Sequence, residues 1–122
     1  MKATHTLWLS TILLLVLATP RASFASMTGM ELRDNCRWTQ QDESTLTEEQ
    51  HLKYSVCVSY VLGVAEGFYL AGGKSCVPNG ENVTNGQLGL VVFKYLDAHP
   101  EELHLHSGLL VVRALKKAFP CK

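Results

Sequence analysis

Clustered charge is missing from this sequence of 122 residues: 11 Lys and Arg balance 11 Asp and Glu, and neither sign gathers into a run. Without grouped cations to meet phosphates, the chain does not read as a nucleic-acid binder, and without an acidic block it carries no solvated charged tail. Disorder is excluded as well, because a chain that is 47% hydrophobic has apolar surface to bury. No two cysteines stand at the close C-x₂₋₄-C spacing of structural zinc sites, and a C-x-x-C redox centre is absent. The G-x-S-x-G elbow, the H-E-x-x-H helix and a Gly-rich phosphate loop after a strand are absent too. We therefore expect no enzyme, no cofactor and no metal site. His104 and His106 are two residues apart and project about 200° apart on a helix, so they cannot share an ion there with each other, while His99 and His106 lack a carboxylate to join them. Alternating strand patterns are also missing, which leaves an all-α fold.

What is present begins with a targeting signal. Lys2 precedes an almost unbroken apolar run from Leu7 to Ala18, and Pro20 and Ser23-Phe24-Ala25 supply a break and small residues. This is the layout of a secretory signal peptide, and twelve apolar residues fall short of the ~20 needed to span a bilayer as a helix. We expect residues 1–25 to be removed by cleavage after about Ala25, leaving one domain of residues 26–122 with no membrane span. Cleavage deletes Lys2 and Arg21 and no acid, so nine basic residues remain against 11 acidic and the net charge becomes −2. Cys36, Cys57, Cys76 and Cys121 all lie in the exported part, where an even count favours disulfides.

Four main helices are expected. Thr28-x-x-Glu31 is a capping box, and the helix it opens runs to about Cys36 or Trp38, with residues 39–45 a polar loop. The strongest signal is Leu46 to Ala71, where Tyr54, Cys57, Val58, Val61, Ala65 and Phe68 recur at helical spacing across a polar flank containing Lys53 and Glu66. Thr45 or Thr47 caps this helix and Gly72-Gly73 ends it. Thr84-x-x-Gln87 is a second capping box, opening a helix that His99-Pro100 stops. Pro100, Glu101 and Glu102 suit the first turn of a last helix, whose apolar face includes Leu103, Leu110, Val111, Ala114 and Leu115. Gly63 and Gly67 interrupt the long helix at a cost of about 1 kcal/mol each. They make a groove, which we assign first to close approach of a neighbouring helix; the other reading is a surface around Glu66 used by another chain.

The ordered landmarks Met27-Thr28-Gly29 with Leu32 and Cys36, Cys57-x-x-Tyr60-x-x-Gly63-Val64-x-x-Gly67, Cys76-x-Pro78, Thr84-x-Gly86-Gln87-Leu88, Lys94-Tyr95-Leu96-x-x-His99-Pro100-Glu101 and Ala118-Phe119-Pro120-Cys121 resemble the Rap/Tai family of type VI secretion immunity proteins. The resemblance covers residues 27–121. It implies a periplasmic α-helical protein, often a homodimer, that binds a peptidoglycan amidase effector and blocks its active-site cleft. Its segment from Val77 to Thr84 is longer than the family's usual one, and such loops set partner specificity. Asn79, Glu81 and Asn82 on this exposed loop are the candidate partner-binding residues, with Glu66 a second patch. Four cysteines allow three connectivities; our choice among them is Cys36 with Cys57 and Cys76 with Cys121. The alternative function is a small periplasmic helical chaperone, similar to the acid-resistance chaperones, which would expose apolar surface when acidified.

Overall fold

The computed structural model describes residues 26–78 and 82–122, so the expected signal peptide lies outside the described residues. Four α-helices follow in order: α1 (Gly29–Cys36), α2 (Glu48–Leu70), α3 (Asn85–Ala98) and α4 (Ser107–Ala118), with short 3₁₀ turns at Arg37–Gln40, Glu43–Thr45 and Pro100–Glu102. The fold is all-α, and the described residues contain no strand beyond a single bridge between Thr28 and His106.

Local chemistry explains where the first three helices start. Thr28, Thr47 and Thr84 each accept a hydrogen bond from the backbone N–H of the third helical residue, and the Glu31, Gln50 and Gln87 side chains reach back to the cap. Each pair satisfies donors that a helix start leaves without intrahelical partners. At the other end of α2 the N–H of Gly73 donates to Phe68 O at 2.9 Å and that of Gly72 to Tyr69 O at 3.0 Å. That pair of bonds is a Schellman cap, and Gly72 sits at φ 84°, which a residue without Cβ adopts at little cost.

The last helix departs from expectation. Pro100 opens only one 3₁₀ turn, and α4 begins at Ser107, because the intervening backbone is bonded elsewhere. Leu103 O and Leu105 O accept from the N–H groups of Met30 and Gly29, each at 3.0 Å, and Ser107 N–H donates to Met27 O at 3.1 Å. Ser107, fully buried, also donates its hydroxyl hydrogen to Met27 O at 2.7 Å. That leaves Tyr60 to donate to Ser107 Oγ at 2.6 Å, since a carbonyl can only accept. Residues 26–30, which run into the first turn of α1, thus form a strap fastened to residues 103–107.

The core lies where α3 meets the other three helices, and includes Leu32 of α1, Val61 of α2, Val92 and Leu96 of α3 and Leu110 and Val111 of α4. Cys36 and Cys57, both fully buried, are joined by a disulfide that ties α1 to α2 with a Cα–Cα distance of 5.0 Å. Cys76 and Cys121 form the second bridge, 5.3 Å between Cα atoms, and both are exposed. Close approach to α2 occurs at Gly89 of α3: a Cβ there would lie 2.9 Å from Thr39 Cγ2 and 3.3 Å from Cys57 Sγ. Among the described residues, no heavy atom lies within 4 Å of such a position at Gly63 or Gly67. The expected use of these two glycines to admit a neighbouring helix of the same fold is therefore wrong, and they face outward.

Candidate functional site

A helix that packs on its partners through one face should be polar on the other, and α2 is not. Leu52, Val56, Tyr69 and Leu70 are exposed, Leu70 to 82% and Tyr69 to 67%. Leu52, Val56, Gly63, Gly67 and Leu70 follow one another at spacings that share a side of the helix, over about 27 Å at 1.5 Å per residue. The expected polar flank thus carries exposed apolar residues at both ends, with Ser59 and Glu66 between them. The signal was there to be read: apolar residues at 52, 56, 69 and 70 fall outside the core set at 54, 57, 58, 61, 65 and 68.

Glu66 is exposed and lines an open groove with Leu62, Tyr69 and Leu70 of α2, Ser75 and Val77 of the following loop, and Leu88 of α3. The second patch and the base of the loop, separate in the sequence reading, are one surface in three dimensions. Asn82 is exposed two residues before the Thr84 cap, whereas Asn79 and Glu81 lie outside the described residues. Tight turning explains the proximity: the Schellman cap reverses the chain at Gly72, and the Cys76–Cys121 bridge anchors the loop to the segment after α4.

His99 and His106 have partners within the fold. Lys117 Nζ donates to His99 Nε2 at 3.2 Å while the His99 ring stands edge-on to Tyr95, and His106 Nδ1 lies 2.8 Å from Ser26 Oγ. Among the described residues no group of three His, Cys, Asp or Glu side chains is placed to hold a metal ion. The groove offers apolar contact and one carboxylate, and the exposed backbone at Gly63 and Gly67 lies further along the same helix.

Several carboxylates are held below their ordinary values by the fold. The Thr28 backbone N–H lowers Glu31 from 4.5, a bond from Lys53 lowers Asp34 from 3.8, the Ser44 hydroxyl lowers Asp42, and the Tyr95 hydroxyl, with Arg113 behind it, lowers Glu102. The unfolded chain binds protons at these sites before the folded one does, so their stabilisation is complete above the unfolded values of 3.8 to 4.5 and is lost as pH falls through the lower folded values. These four sites should accordingly leave the urea midpoint unaffected above about pH 5 and lower it as pH falls below about 4.5. A midpoint that stays level to pH 2.5 would show these bonds to be unmade in solution.

The family model described as Rap1a immunity proteins matches residues 28–121. A comparison with curated proteins finds no match.

Proposed function

The chain belongs to the Rap1a immunity protein family, and from that premise we propose that it is a periplasmic immunity protein that inhibits a peptidoglycan amidase delivered by type VI secretion. The mature protein starts at about Ser26 in this reading, after removal of the signal peptide. It acts by binding, without catalysis of its own: a rigid helical edge covers the amidase cleft and keeps substrate out. Two disulfides support an exported, oxidised protein. The observation that carries the choice of surface is the outward face of α2, where Gly63 and Gly67 leave the backbone open to a partner beside Glu66 and the exposed Tyr69 and Leu70.

The glycines matter because a partner can approach the helix to backbone distance only where side chains are absent, and rigid presentation avoids the entropy lost in ordering a loop on binding. Glu66 supplies a carboxylate for a cationic or hydrogen-bond-donating group of the amidase cleft. Asn79, Glu81 and Asn82 extend the same contact from the loop. A homodimer is part of the proposal, and if it forms through this face of α2 it competes with the amidase for the glycines.

The test asks whether a peptidoglycan amidase is encoded beside this gene and pairs the protein with it. Gly63→Arg and Glu66→Arg should each weaken the complex at least tenfold, about 1.4 kcal/mol, and abolish protection of cells that receive the hydrolase in the periplasm. Circular dichroism should be unchanged, because neither substitution enters the core. Mass in solution reports the dimer separately. Failure of the unaltered protein to bind any amidase overturns the function, whereas tight binding by both variants overturns only the surface. Acid titration bears on the chaperone alternative, which requires apolar dye binding to rise as the fold loosens.

A further inference from the structure

The two disulfides occupy opposite environments. Cys36 and Cys57 are fully buried in the core, out of reach of any thiol until the helices part. Cys76 and Cys121 are both exposed, and neither belongs to a helix. Their bridge walls a cavity of about 350 Å³ whose apolar lining includes Phe68 of α2, Val112 and Leu115 of α4, and Phe119, with Lys74 and Lys116 at the same site. The bridge is therefore a latch between the loop after α2 and the segment after α4, on the wall of a partly open apolar hollow.

We propose that Cys76–Cys121 is a site of thiol–disulfide exchange with an external dithiol reductant, and that opening it widens the cavity while Cys36–Cys57 stays intact. In the first step a thiolate of the reductant attacks one of the two exposed sulfurs, forming a mixed disulfide and releasing the other cysteine as a thiolate. In the second step the reductant's other thiol displaces the remaining protein sulfur. Two electrons pass from the dithiol to the bridge, the reductant leaves as its own disulfide, and the two protein thiolates take up the two protons that the dithiol releases. Exchange rate depends on access and on the stability of the leaving thiolate. The bridge has both advantages, exposure and two ammonium groups lining the same cavity, since a nearby cation favours a thiolate. The inference does not depend on which effector the protein binds.

Dithiothreitol is the probe. The folded, oxidised protein is equilibrated with rising concentrations, alkylated under native conditions and mapped by mass spectrometry. Cys76 and Cys121 should be labelled at a dithiothreitol concentration at least about tenfold below that needed for Cys36 and Cys57. Over the same range the fluorescence of anilinonaphthalene sulfonate should rise as Phe68 and Phe119 become accessible, with helical circular dichroism retained. Cys76→Ser/Cys121→Ser should bind the dye without reductant. Joint labelling of all four cysteines, or earlier labelling of Cys36 and Cys57, overturns the proposal; selective labelling with no gain in dye fluorescence overturns the opening of the cavity.

Discussion

Cys36→Ala/Cys57→Ala should lower the unfolding free energy by about 4–5 kcal/mol. The bridge joins residues separated by 21 positions, and releasing a loop of that length gives the unfolded chain entropy worth about 3 kcal/mol at 25 °C. Packing adds to this. Both sulfurs are fully buried, and Gly89 of α3 is shaped to them, with a Cβ position 3.3 Å from Cys57 Sγ. Alanine at both positions leaves a void between three helices, for which about 1–2 kcal/mol more is the ordinary cost of lost buried contacts. Against a stability of about 5–15 kcal/mol for a domain of this size, the variant loses about a quarter or more of its reserve. Urea unfolding followed by circular dichroism measures the difference, and a loss below about 2 kcal/mol would show that α1 and α2 keep their packing without the bond.

Leu110→Ala is the second large effect, expected at about 3–4 kcal/mol. Leu110 is fully buried and its Cδ1 occupies the place where a Cβ on Gly29 would stand, with Leu103 O only 3.0 Å from that place. The backbone of α1 is already seated against residues 103–105 by two hydrogen bonds, so it cannot slide in to fill the space that alanine leaves. Gly29→Ala alone should cost about 1–3 kcal/mol by overpacking. In the double variant the new methyl occupies part of the void, so the two losses should be less than additive by about 1 kcal/mol. Additivity within error would mean that α1 moves away from α4 to admit the methyl, and that Leu110 does not set its position.

Both variants act at places where the sequence was only partly readable. Helix starts were legible because Thr28-x-x-Glu31 and Thr84-x-x-Gln87 are local devices whose partners lie three residues away. The end of α2 was legible in Gly72-Gly73 for the same reason. The start of α4 was not. Pro100-Glu101-Glu102 carries every local mark of a first helical turn, but the backbone of residues 103–107 is bonded to residues 27–30, and no short-range pattern reports a partner some eighty positions away. The glycines divide in the same manner. Gly63 and Gly67 are conspicuous by their spacing in a long helix, whereas Gly89 looks ordinary, yet Gly89 is the one that lets two helices meet. At the candidate site, Glu66 was legible as a residue of the outward flank; its nearness to Ser75 and Val77 depended on how the chain turns after Gly72. The apolar character of the α2 flank was present in Leu52, Val56 and Leu70, but the periodic core set beside them is stronger and hides it.

The strap formed by residues 26–30 bears on the timing of folding. Its backbone partners are Leu103, Leu105 and Ser107, and its buried carbonyl, that of Met27, rests on a hydroxyl of the last helix. Residues 27–30 cannot make these bonds until the chain has been made past Ser107, although α1 can already be tied to α2 through Cys36 and Cys57. Contacts this distant in sequence slow folding, and here they also defer it: the start of the domain is among the last parts to be fastened.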